Sequence, residues 1–205
     1  AHMLWLFKKS KIIEESVVPD LTKNRLVMFQ HKYYVLLMIL TNLAAFAFVG
    51  WLTKDWFGAF TLSWLARIFL LHHFTWFINS LAHTWGAKTY SGEQSAVDNY
   101  IIALLTFGEG YHNYHHVFAS DYRNGIRWYH FDPSKWLVWS LNKLGLVRDI
   151  KKMNQYVIKK TIIIEDKKIL LERIKDSVSE QKEFLQSKVN EISENMISKI
   201  TEINR

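Results

Sequence analysis

The sequence predicts an all-α integral membrane protein built as a helical hairpin, a cytoplasmic helical cap that binds metal, and a C-terminal amphipathic or coiled-coil helix. Three observations predict it. Residues 33–52 carry no charge and match the roughly 20 residues that cross a bilayer. A second apolar stretch, Trp56 to Ala82, follows the short polar turn Thr53-Lys54-Asp55. Beyond it, three of the nine histidines fall within five residues of Gly108-Glu109-Gly110-Tyr111-His112-Asn113-Tyr114-His115-His116.

In chain order, Met3 to Phe7 is an apolar run too short for a signal core, and it is followed rather than preceded by Lys8 and Lys9. Residues 8–32 set Lys8, Lys9, Lys11, Lys23, Arg25 and Lys32 against Glu14, Glu15 and Asp20, a basic approach to the first span at 33–52. The turn before the second span, at 56–82, holds only Lys54. Positive charge therefore collects at the two open ends of the hairpin, which places them and the cap in the cytoplasm. The same flanks account for the formal charge of +7, and no nucleic-acid motif appears. With no cysteine, thiolate metal sites, iron–sulfur clusters and a disulfide-stabilised ectodomain are excluded.

Arg67, near the middle of the second span, requires a partner or a polar interior. On a continuous helix His72, Trp76, Asn79 and His83 form one stripe, with Asn79 and His83 at its cytoplasmic end and His72 and His73 as packing residues. Gly86 to Asp98 reads as a polar loop, and Asn99 to Phe107 as an apolar piece too short to span, lying in the interface.

If the segment after Gly110 is helical, positions i, i+3 and i+4 share a face, and His112, His115 and His116 aim at one point. Imidazole suits zinc, copper, iron and nickel, so the spacing defines a histidine-only metal site without choosing the metal. Glu109 reads either as an acceptor that orients an imidazole or as a helix-start glutamate favoured by the dipole. Asp132-Pro133 then opens a helix that Gly145 ends, with an apolar side suited to a membrane surface. From about residue 161 the composition turns to lysine, glutamate, serine and isoleucine, with Leu171, Ile174, Val178, Leu185, Val189, Ile192, Met196, Ile200 and Ile203 spaced for an amphipathic helix or a coiled coil interrupted at Gln181. The expected division is a first part at 1–152 and a polar helical tail at 153–205, with a coiled-coil partner possible for 161–205.

Taken together, Asn79-Ser80-Leu81-Ala82-His83 and the nine residues from Gly108 to His116 resemble the integral-membrane acyl-CoA desaturases of the stearoyl-CoA, delta-9 type, and Leu26-Val27-Met28-Phe29-Gln30 is similar to that family's approach to its third membrane helix. The resemblance covers residues 1–152 and not the tail. It implies that His83, His112, His115 and His116 are iron ligands of a di-iron centre, that Asn79 holds one iron through water, and that Trp76 and Thr75 line the acyl tunnel. Lys8 and Lys9 correspond to the region that meets the acyl carrier. The implied reaction is removal of two hydrogens from an acyl-CoA or other acyl thioester in the membrane, with oxygen and with electrons from cytochrome b5 or ferredoxin. The family's two earlier histidine boxes do not occur here, since the only His-x-x-His-His begins at 112. The resemblance therefore implies a C-terminal portion that lacks the N-terminal half and is incompetent alone. The alternative is a non-catalytic membrane interaction protein that keeps a degenerate metal half-site.

Overall fold

The structure, a computed structural model, describes residues 2–8, 15–176 and 181–204. Among these the secondary structure is helical, apart from two isolated antiparallel bridges that pair Ala87 with Asp98 and Asp98 with Tyr111. The chain forms two compact units, residues 1–76 and 77–205.

In the first unit, two 3-10 turns (Leu4–Phe7 and Glu15–Val17) precede α1 (Pro19–Thr22) and α2 (Arg25–Lys32). Asn24 caps α2 by accepting hydrogen bonds from the Leu26 and Val27 N–H groups. Next, α3 (Tyr34–Thr53) has 20 residues and is long and apolar enough to cross a membrane. Lys54, at φ 60°, turns the chain out of α3, and Asp55 restarts it by accepting from Gly58 N–H at 2.8 Å. From there α4 (Trp56–Gly58), a π-helical stretch (Ala59–Ala66) and α5 (Arg67–Ile78) follow one another without a break.

This second helical run lies against α3. Phe46 packs edge-on to Trp56, Phe60 and Trp64. Gly50 lets the Trp56 ring approach so closely that a Cβ there would meet Cε3 at 2.5 Å, as small residues do between membrane helices. Arg67 donates through Nε to Ser63 O at 2.7 Å and through Nη2 to Asn42 Oδ1. The mid-span arginine thus has the partner its position requires. His73 Nδ1 lies 3.1 Å from His2 Nε2, and His72 Nδ1 lies 2.8 Å from Ile68 O, so both act in packing.

The helix expected to continue to Ala82 ends at Ile78. Ser80 N–H bonds to Phe77 O, three residues back, and Ser80 itself leaves helical geometry at φ −127°, ψ −74°. A 3-10 turn, Leu81–His83, follows. The stripe from His72 therefore does not reach Asn79 and His83 along one helix.

In the second unit, α6 (Tyr100–Leu105) starts at Asn99, whose side chain accepts from Ile101 and Ile102 N–H. The histidine segment forms α7 (His112–Val117). Helix α8 (Pro133–Lys143) begins where the sequence places it, with Asp132 Oδ1 accepting from Lys135 N–H at 2.9 Å, and Gly145 follows it at φ +73°. The two long helices α9 (Gln155–Asp176) and α10 (Lys182–Ile203) pack on each other, and the Tyr156 hydroxyl lies 3.2 Å from that of Thr201. Near their other ends Lys182 Nζ donates to Lys175 O, so the pair is antiparallel. Val178 lies outside the described residues.

The tail is also bound into the cap. Ile158 of α9 is 1% exposed in the core cluster with Tyr90, Tyr114 and Phe118, flanked by Val117, Ile126, Met153 and Ile162. The compact unit consequently continues through residue 152, where the sequence suggested a division, because the first turns of α9 supply a side of its core.

Candidate metal centre

The short lead-in to α7 is shaped by glycine. Gly108 has φ +105°, and a Cβ on Gly110 would meet the Ala103 backbone nitrogen at 2.1 Å, a contact no L side chain tolerates. This close approach to α6 sets where α7 begins. Asp98 Oδ1 accepts from Tyr114 N–H at 3.1 Å, so a carboxylate covers the free N–H groups of the first turn.

Asn113 fixes the rotation of α7. It is fully buried and uses every bonding position of its amide. Its Oδ1 accepts from Tyr90 N–H at 2.8 Å and Ser91 N–H at 3.2 Å, while its Nδ2 donates to Ser91 O at 2.9 Å and Ala96 O at 3.0 Å. On the opposite side the Tyr114 hydroxyl donates to Asp121 Oδ2 at 2.7 Å. Asp121 also accepts a two-point grip from Arg123, at 2.9 and 2.6 Å, and the Met153 N–H at 2.8 Å. Burial pushes the Asp121 carboxyl up, but Arg123, Tyr114 and the backbone donors outweigh it and hold it below the usual range.

With α7 held in this way, three imidazoles converge. His112 Nε2 lies 3.1 Å from both His83 Nε2 and His116 Nε2, and ligand atoms of the three rings all lie within 4.8 Å of one another. A single ring nitrogen carries one proton or one lone pair, so it cannot satisfy two such neighbours as an ordinary hydrogen bond. At metal–nitrogen distances of about 2.1 Å, a 3.1 Å separation corresponds to ligands near a right angle at a shared ion. The donor set therefore fits a metal. Burial, then the imidazoles of His116, His83 and His115, push His112 down to about 4, and burial with its neighbours also lowers His116. Both shifts favour the neutral form of His112 and His116, the form that offers a lone pair.

The other residues singled out in the sequence are placed as follows. His115 stands beside it, its ring roughly parallel to that of His112 (interplanar angle 18°) with centroids 5.9 Å apart. Asn79 is exposed in the turn between α5 and the His83 turn. Glu109 Oε1 accepts from Asn124 Nδ2 at 3.0 Å, so the carboxylate braces the following loop and not an imidazole. In the first unit, Trp76 packs against His72 and His73, and the Thr75 hydroxyl donates to Leu71 O at 2.8 Å. Lys8 is exposed, and Lys9 lies outside the described residues. Sequence reasoning missed Asn113, Asp98 and Ser95, whose Oγ lies 2.9 Å from His83 Nδ1. The asparagine between two ligand-type histidines was the one visible signal.

Helical secondary structure among the described residues, an apolar helix long enough to cross a membrane and a histidine cluster that could hold a metal ion define the class, a helical protein of membrane type with a candidate metal site. The chain belongs to the fatty acid desaturase family, which it matches over residues 4–146. It is 37% identical to acyl-CoA desaturase 1 of Saccharomyces cerevisiae, over 82% of this chain and 34% of that protein. It is 35% identical to a probable acyl-CoA desaturase of Schizosaccharomyces pombe, over 83% and 36%, and 30% identical to an sn-2 palmitoyl-lipid 9-desaturase of Nostoc, over 73% and 52%. The chain thus spans between a third and about half of the length of these relatives. A match over 82% of the chain exceeds what residues 1–152 contain. The similarity therefore continues into the tail, contrary to the expectation that it stops at 152, in keeping with the part α9 takes in the core.

Proposed function

We propose that this chain is the C-terminal part of an oxygen-dependent acyl-CoA desaturase that introduces a cis double bond, commonly delta-9, into a saturated acyl chain at a histidine-ligated di-iron centre. The observation that carries the reading is the meeting of His83, from the break after α5, with His112 and His116 of α7 at one point. His83, His112 and His116 hold one iron. His115, offset from the trio, is free to serve a second with Asn79 through water. A di-iron centre needs more ligands than these, and on this reading the remainder belong to a segment outside these 205 residues, for which the chain's coverage of 34% of acyl-CoA desaturase 1 leaves room.

The bound iron supplies the oxygen-dependent oxidising chemistry that breaking two unactivated C–H bonds requires. In balance, –CH2–CH2– with O2, two electrons and two protons gives –CH=CH– and two waters. A donor of cytochrome b5 or ferredoxin type supplies the electrons. The chain's own residues hold the imidazoles in place through Asn113 and the cap network, while Trp76 and Thr75 line the path of the acyl tail. An exposed Lys8, with Lys9, suits the phosphates of an acyl-CoA. α3 and the run from Trp56 to Ile78 span the bilayer as a pair, with the cap and the hairpin's open ends in the cytoplasm.

Two measurements test the proposal. The purified chain should hold less than one tightly bound iron, and two irons per chain would refute the division of ligands. Supplying the missing N-terminal half in the same membrane should restore conversion of saturated to monounsaturated acyl chains, and His116→Ala should abolish it. Equal conversion with that substitution would overturn the ligand assignment.

A further inference from the structure

An imidazole that gives one nitrogen to a metal is oriented by what its other nitrogen bonds to. The three converging rings differ here. His112 Nδ1 is buried with no partner among the described residues, whereas His83 Nδ1 lies 2.9 Å from Ser95 Oγ. His83 is also the member that α7 does not carry. It ends the short 3-10 turn Leu81–His83 that follows the break after α5.

The loop that presents Ser95 is held on three sides. Asn113 of α7 grips it at Tyr90, Ser91 and Ala96. Gly92 N–H donates to Glu165 Oε1 of α9 at 2.6 Å, and a Cβ on Gly92 would meet that oxygen at 2.8 Å. Val97 N–H donates to Ala82 O at 2.8 Å, one residue before His83. A loop anchored to the ligand helix, the tail helix and the neighbour of the third ligand places one hydroxyl against the free side of that ligand's ring.

We propose that Ser95 is a positioning residue for the metal centre, holding the His83 ring by Nδ1 so that Nε2 faces the shared point with His112 and His116. This rests on the metal-binding reading given above. A hydroxyl either donates to or accepts from a ring nitrogen, so the contact fixes the plane of the ring whichever way it runs. Through Glu165, the tail helix steadies the loop that makes this contact.

The test uses the full chain in detergent, first free of metal and then titrated with Co2+. In nitrogen-15 imidazole spectra of the metal-free chain, Ser95→Ala should move the His83 Nδ1 resonance through loss of its hydrogen bond and weaken Co2+ affinity by about tenfold, with unchanged helical circular dichroism. Ser95→Thr, which keeps the oxygen, should behave as wild type. An unmoved Nδ1 resonance or an unaltered Co2+ affinity in Ser95→Ala, or a threonine variant as impaired as the alanine, would each overturn the proposal. His83→Ala separates the two claims. If it leaves Co2+ binding intact, the metal reading fails, whereas if it abolishes binding while Ser95→Ala changes nothing, only the role of Ser95 fails.

Discussion

In α3 only Gly50 is buried, and large apolar side chains such as Leu36, Ile39, Phe48 and Trp51 point outward, whereas in the cap the side chains hidden from solvent include Asn113, Asp121, Arg123, Asp132 and Lys135. The first pattern suits a helix whose solvent is lipid, where outward apolar surface carries no cost. The second is a polar interior, stable only because its members are satisfied. Asp132 accepts from three backbone N–H groups, and Lys135 Nζ donates to the carbonyls of Gly125, Arg127 and His130. A polar network of this kind fixes one geometry more sharply than apolar contact does, and the cap is the unit that has to hold imidazole nitrogens about 3 Å apart.

The largest expected effect breaks that network at its centre. Asp121→Ala leaves the Arg123 guanidinium buried without its partner and frees the Tyr114 hydroxyl and Met153 N–H at once. The cap should lose about 3–5 kcal/mol, read as a drop in the thermal midpoint of the detergent-solubilised protein. A loss under about 1 kcal/mol would mean the polar interior is not what holds the cap.

A part of this arrangement was legible in the sequence, and the rest was not for physical reasons. The first span, the Asp132 cap and the helix at His112 are local properties of composition and spacing. The approach of His83 to His112, 29 residues away, depends on a break after Ile78 that apolar patterning conceals, because Leu81 and Ala82 continue the hydrophobic run. Ser95 and Asp98 sit in what reads as an ordinary polar loop, and their roles exist only across chain distance. Ile158 was hidden differently. It sits where Val157 and Ile162 alternate with Lys159 and Lys160, a mixture that suits pairing with another helix as well as a core.

A second, smaller effect sharpens the comparison through pH, since the cap's buried groups titrate against each other. Asp98 is pushed up to about 6, first by burial, against the backbone bonds from Tyr114 and Asn113. Its contribution to stability is full below its unfolded value near 3.8 and is lost as pH rises through 6. His112 runs the other way. Held down to about 4, it contributes fully above 6.5, and that contribution is lost as pH falls through 4. In metal-free protein the two slopes oppose each other across this window. Asp98→Asn keeps an oxygen for Tyr114 N–H and removes one slope, so the variant should gain of order 2 kcal/mol relative to wild type on going from pH 4.5 to pH 7. Parallel stability curves for the two proteins over that range would rule out a buried, titrating Asp98.

The smallest effect tests the other unit. Among the apolar contacts of α3 with the helical run from Trp56, the polar clasp is Asn42 with Arg67, and Asn42 Nδ2 is itself engaged with Met38 O at 2.7 Å. Asn42→Leu removes the acceptor and leaves the guanidinium only the Ser63 carbonyl on its own helix. Interhelical polar pairs in membranes contribute modestly because the arginine can find other partners or reach toward the interface, so the loss should be about 1 kcal/mol, measured by steric-trap unfolding in bicelles. The double variant with Arg67→Met should recover most of it, since outward apolar surface is free in lipid. If the single change instead costs as much as Asp121→Ala, the hairpin is also organised by a buried polar centre, and the contrast between the two units disappears.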